Sequence, residues 1–130
     1  MNLDIDVSSP EPVYEQIVRQ IQSGVQRGEL SPGAALPSIR QLAVDLDLTP
    51  NTVARAYQIL EGNRVIRTAG RKGTFVHSDA TTHIRNRNSQ DAIYQISELV
   101  ATLARKGLSI KQIEVAFRTA VGTMREKGSA

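Results

Sequence analysis

A mainly α-helical fold with one small β-hairpin is predicted by three observations. Apolar residues recur at three- and four-residue spacing in five successive stretches. Between the third and the fourth, two short β-prone runs flank a glycine-bearing loop. Helix-start signals stand at the head of three of the five: Ser38 with Gln41, Thr49 with Pro50, and Ser109 with Gln112.

In chain order, Asn2 to Val7 alternates, with Leu3, Ile5 and Val7 on one side, and reads as a short edge strand or an ordered arm. Pro12 opens a helix with the stripe Tyr14, Ile17, Val18, Ile21 and Val25; Gly28 ends it and Ser31-Pro32-Gly33 turns the chain. Gly24 inside it weakens the helix by up to about 1 kcal/mol and is read as close packing. The stretch Leu36 to Gly62 holds two helices, with the apolar sets Ile39, Leu42, Ala43, Leu46 and Val53, Ala56, Tyr57, Leu60. Ser38 and Gln41 form a capping box, and Thr49 is an N-cap hydroxyl followed by a proline at the first helical position. Only Leu46-Asp47-Leu48 separates the two patterns, so the second helix leaves steeply: a helix-turn-helix, backed by the first helix in a three-helix core.

Stepping about 100° per residue from Val53 places Asn51, Arg55 and Gln58 on the face opposite the apolar set. Asn and Gln can pair bidentately with adenine, and Arg with guanine or a phosphate. A solvated surface would also be polar, so the flanking segments must decide. Val65–Thr68 and Thr74–His77 are the predicted strands, around Ala69-Gly70-Arg71-Lys72-Gly73. A hairpin directly after a recognition helix is a wing. Its tip carries Arg71 and Lys72, with Arg64 and Arg67 behind, and its glycines let the backbone approach DNA closely.

The 130 residues suit one compact domain or a small domain with an appendage, and carry no cysteine, hence no disulfide framework and no thiolate metal site. No apolar run is long enough to cross a bilayer and the N-terminus is acidic, so a cytoplasmic protein without a membrane partner is expected. The net charge of +3 is unevenly spread: residues 1–62 hold 4 Lys/Arg and 8 Asp/Glu, residues 63–130 hold 12 and 5. Arginine supplies most of the excess, which favours phosphate recognition.

From Pro12 to Val76 the chain resembles the DNA-binding domain of GntR-type bacterial transcription regulators. The matching segments are PVYEQIVRQI, GELSPGAALPSIRQLA, LTPNTVARAYQILEG, VIRT and GTFV. The resemblance implies a three-helix winged domain, a homodimer, and repression through palindromic double-stranded operators. It implies DNA contacts at Arg40, at Thr49, Asn51 and Thr52, and at the wing tip around Gly70 and Arg71. This chain departs from the family at Pro50, where many members have arginine, and at Ala54, where they have a basic residue that Arg55 is placed to replace. The wing spacing Gly-Arg-Lys-Gly differs from the usual Gly-x-Gly, so base preferences do not transfer.

Residues 77–88 are read as a linker or as the first turns of a long helix. From Ser89, Ile93, Ile96, Val100 and Leu103 repeat at helical spacing, with Ala92 and Leu99 beside them, up to Gly107. Ser109 and Gln112 open a last helix with Ile110, Ile113, Phe117, Val121 and Met124. An aliphatic stripe with no globular domain to bury it wants a partner, so Ile93, Ile96, Val100, Leu103, Ile113, Phe117 and Val121 are expected to dimerise the protein. The division is then a winged DNA-binding domain over 1–77 and a two-helix dimerisation domain over 78–130. This short tail resembles the YtrA-like subgroup, which implies control of a nearby transporter operon.

No paired carboxylates, nucleophile motif or phosphate-cradling loop is present, so neither an enzyme nor a cofactor is expected. A GntR-related group carries a pyridoxal-phosphate-binding domain, for which this chain is too short. His77 and His83, with only Asp79 near them, are read as surface histidines and not as a metal site. A small-molecule effector stays open as a partner; it would lodge beside the helical hairpin or in the dimer interface. Two functions remain: a dimeric DNA-binding repressor that uses Arg40, Asn51, Arg55, Gln58, Arg67, Arg71 and Lys72, or a winged-helix module that binds protein instead. The latter would show apolar residues in place of that polar row.

Overall fold

The computed structural model describes residues 1–128. Helix α1 (Val13–Gln26) follows Pro12, which occupies the N-cap position, and buries Ile17, Ile21 and Val25. Gly28 has φ +80°, the left-handed conformation that closes a helix and that glycine adopts without a Cβ penalty. Gly24 is close packing, as expected: a Cβ there would lie 3.1 Å from Leu30 Cδ1.

The N-terminal alternation is an ordered arm, not a strand. Leu3 and Ile5 pack on the core. Two side-chain amides of α1 take the place of a neighbouring strand. Asp4 N–H donates to Gln20 Oε1, and Gln20 Nε2 donates back to the Asp4 carbonyl, both at 2.7 Å. Asp6 and Gln16 repeat the exchange at 2.8 Å, and Gln16 Nε2 also reaches the Glu11 carbonyl. Gln16 is 2% exposed, so these bonds are what makes its burial tolerable.

Strand β1 (Ala35–Leu36) leads into α2 (Ile39–Leu46) and α3 (Pro50–Gly62). Ser38 Oγ accepts from Gln41 N–H at 3.1 Å, but Gln41 Nε2 donates to Asp45 Oδ1 instead of completing the box. The Thr49 hydroxyl likewise makes no backbone cap; it pairs with the Thr52 hydroxyl at 3.0 Å. The corner is made by Asp47 at φ 54°, with Leu48 N–H returning to the Ala43 carbonyl at 2.8 Å.

The wing is a three-stranded antiparallel sheet in the order β1-β3-β2, one strand more than the predicted hairpin. Strands β2 (Ile66–Thr68) and β3 (Thr74–Val76) pair with Arg67 opposite Phe75, and β1 places Ala35 on the other side of Phe75. Two residues followed by Pro37 are too few to show a period, which is why β1 is invisible in the sequence. The tip, Gly70–Lys72, is one turn of 3₁₀ helix.

Ile17, Ile21, Val53, Leu60, Val65 and Val76 are fully buried, and α1, α3 and the sheet meet around them. Tyr57 joins this core with its hydroxyl donating to the Pro37 carbonyl at 2.7 Å, and burial pushes its pKa up to about 12. Unfolded tyrosine ionises near pH 10. The neutral phenol therefore stabilises the fold fully below that pH, and the contribution is lost as pH rises from about 10 towards 12. Tyr57→Phe is expected to cost about 0.5–1.5 kcal/mol at neutral pH through the missing hydrogen bond, and the gap to wild type should shrink above pH 10. Urea unfolding at pH 8 and pH 11 measures this; a gap independent of pH would contradict it.

Helix α4 (Ala80–Arg105) has 26 residues, so residues from Ala80 to Asn88 are the first turns of a long helix. Ala80 and Ile84 anchor that start by packing in the core just described. A compact unit spans Met1–Asn88, and a second begins at Ser89. In the second, Gly107 at φ 99° breaks the chain between helices, and α5 (Ile110–Glu126) opens with the complete capping box of Ser109 and Gln112. No helix among the described residues is long and apolar enough to cross a membrane.

Candidate nucleic-acid interface

The apolar stripe of α3 turns inward, so its other face is fixed by geometry. Val53, Ala56, Tyr57 and Leu60 are buried, while Asn51, Arg55 and Gln58 are exposed and Thr52 is half-buried. Arg40, in the first turn of α2, and Thr49, before α3, are exposed. On the wing, Arg67, Gly70, Arg71 and Lys72 are exposed.

A cleft of about 390 Å³ brings these elements together. Ser38, before α2, Ala54 and Gln58 of α3, and Gly70 and Gly73 of the wing turn all line it. Of the predicted contacts only Gln58 and Gly70 line it, so the depression joins one side of α3 to the wing turn, while Asn51, Arg55, Arg71 and Lys72 do not line it. Glu61 also lines it and is its one acidic residue, at the C-terminal end of α3. The ion pairs among the described residues are Arg19–Glu11 and Arg27–Glu29, which use none of the predicted DNA-contacting cations.

Two arginines rest on aromatic rings. Arg67 Cζ lies 5.4 Å from the Phe75 ring centroid, as the strand register dictates. Arg55 Cζ lies 3.9 Å from the centroid of Tyr14, in the first turn of α1. Sequence reasoning placed Tyr14 in the core stripe and missed this contact. Two residues on different helices carry no local signal of one another.

The second unit carries the expected aliphatic face. Ile93, Leu99 and Phe117 are more than half exposed, Ile96 and Val100 somewhat less. Leu103 and Val121 are half-buried, and Ile113 is 7% exposed, covered within its own chain. A groove of about 460 Å³, lined by Ile96, Leu99, Val100, Leu103, Ile113 and Phe117, runs between α4 and α5.

A three-helix core, a steep corner, an outward polar helix and a basic three-stranded wing define a winged helix-turn-helix, and the protein is a DNA-binding transcriptional regulator. Residues 13–76 match the bacterial regulatory proteins of the gntR family, and the chain belongs to that family. It is 32% identical over 111 residues to the HTH-type transcriptional repressor YtrA of Bacillus subtilis, covering 85% of each chain. It is 45% identical over 74 residues to the HTH-type transcriptional regulator Rv1152 of Mycobacterium tuberculosis, spanning 57% of this chain and 61% of that protein. Among solved structures, a transcriptional regulator from Oenococcus oeni superposes with TM-score 0.70 at 32% identity, over 92% of this chain and 99% of that one. These relatives are named as transcriptional regulators.

Proposed function

We propose that the protein is a homodimeric repressor that binds a palindromic operator. Residues 1–77 read the DNA and residues 78–130 hold two chains together. Asn51, Arg55 and Gln58 contact base edges. Arg40, Thr49, Thr52, Arg67, Gly70, Arg71 and Lys72 grip the flanking phosphates. The observation that carries this reading is the single cleft shared by α3 and the wing turn, because a recognition helix and a wing engage one duplex only if they face the same side. The exposed aliphatic face of α4 and α5 supports pairing between copies. The repressor reading is supported by the name of the Bacillus relative. Control of a nearby transporter operon, from the bacterial cytoplasm, follows from the YtrA-like resemblance.

The test is a salt titration of operator binding. Arg71→Ala with Lys72→Ala is expected to weaken binding to every sequence and to lower the log–log salt slope by about 0.9 for each phosphate no longer neutralised. An unchanged slope would remove the wing from the interface. Equal affinity of wild type for operator and random DNA would remove sequence-specific reading.

A further inference from the structure

The segment that leaves the wing holds both histidines of the chain. One nitrogen of His77, one carboxylate oxygen of Asp79 and one nitrogen of His83 all lie within 4.8 Å of one another. The backbone explains the convergence. His77 follows β3, and its N–H donates to the Val65 carbonyl at 2.8 Å, which ties it to the sheet. Asp79 precedes the first residue of α4, and its carbonyl accepts from His83 N–H at 3.1 Å. Asp79 and His83 are therefore four apart on one helical face, and the end of β3 delivers His77 to the same place. The two rings meet edge-on, with centroids 5.3 Å apart and planes at 84°. Both histidines are half-buried and Asp79 is exposed. The Asp79 amide donates to His77 Nδ1 at 3.0 Å, so that lone pair is already engaged, and a cation is bound through the other ring nitrogen or by displacing this bond.

Two imidazoles and one carboxylate match the ligand preference of zinc, cobalt or nickel; calcium and magnesium take oxygen ligands. Zinc–nitrogen bonds of about 2.0–2.1 Å place tetrahedral ligand atoms roughly 3.3 Å apart. Three protein ligands leave one position for water or another donor.

We propose that His77, Asp79 and His83 form a binding site for a divalent transition-metal cation. The cation fastens the first turn of α4 to the sheet that carries the wing. Ala80 and Ile84 already dock that turn in the core; the metal adds a cross-link that depends on its supply.

Chelator-treated, tag-free full-length protein is titrated with zinc by calorimetry and with cobalt by visible absorption, with magnesium as the control. The expected result is one zinc per chain, a rise in Tm, visible cobalt bands and no response to magnesium. His77→Ala and His83→Ala should each weaken zinc at least tenfold. Asp79→Asn preserves a good helix-capping residue while removing the anionic ligand, so it should weaken zinc by about tenfold or more, since even a group that only supports a ligand commonly costs that much, and leave the metal-free Tm unchanged. Absence of saturable zinc binding would overturn the proposal. So would zinc affinity that both histidine variants leave intact, or an Asp79→Asn variant that loses metal-free stability but no zinc affinity.

Discussion

Aspartate in place of both Leu99 and Phe117 is expected to turn the protein into a monomer and lower its affinity for a two-fold operator by about 10²–10⁴-fold. Leu99 is 56% and Phe117 53% exposed, and both line the groove between α4 and α5. Apolar side chains left this far in water over two helices mark a surface for association. A carboxylate there must be desolvated if the partner docks, and two of them face a groove that is apolar apart from Glu114 and Arg118. The affinity loss follows from geometry. In a dimer the second half-site is bound intramolecularly, at an effective concentration set by the tether; in a monomer that advantage disappears. Affinity for an isolated half-site should not change, because neither residue belongs to the core of residues 1–88. Analytical ultracentrifugation with operator and half-site titrations separates these effects. A double variant that stays dimeric would contradict the assigned surface. A monomer with undiminished affinity for the full operator would contradict the need for pairing.

Arg55→Ala is expected to cost about 1–3 kcal/mol against the preferred base pair, roughly a 5–150-fold loss confined to one operator position. Its guanidinium stacks on Tyr14. A planar cation over an aromatic face is held in direction as well as position, which lowers the cost of aiming it at a base. Tyr14→Leu keeps the charge but removes the platform, and should give a weaker loss at the same operator position. Binding measured over single-base operator variants distinguishes base reading from phosphate contact: a uniform loss with a reduced salt slope would assign Arg55 to the backbone. A fall in Tm with no change in DNA binding would make the stacked pair structural only.

Most of this architecture is legible in the residues because its elements are amphipathic and punctuated. The α2–α3 corner follows from two apolar stripes set close together, and the structure puts Val53, Ala56, Tyr57 and Leu60 inward as their spacing requires. The start of α4 is harder to see. Among residues 80–88 only Ala80 and Ile84 are buried, and two such residues in a polar stretch read equally well as a linker. Strand β1 is held by pairing with β3 and not by its own pattern, so a local reading cannot find it. The same holds for pairs distant in the chain: Gln16 and Gln20 acting as a strand edge for the arm, or Tyr14 beneath Arg55. The predicted caps at Ser38 and Thr49 show a further limit. Ser38 caps the backbone of α2 but the box is not completed by Gln41, and the Thr49 hydroxyl pairs with Thr52 instead of capping α3.

Selection of binding sites from random DNA by the purified protein tests the dimeric, groove-reading arrangement most directly. The expected result is enrichment of a two-fold symmetric sequence whose half-sites lie about 10 base pairs apart, centre to centre, or a multiple of that. Enrichment of a single unrepeated motif, or none at all, would contradict it.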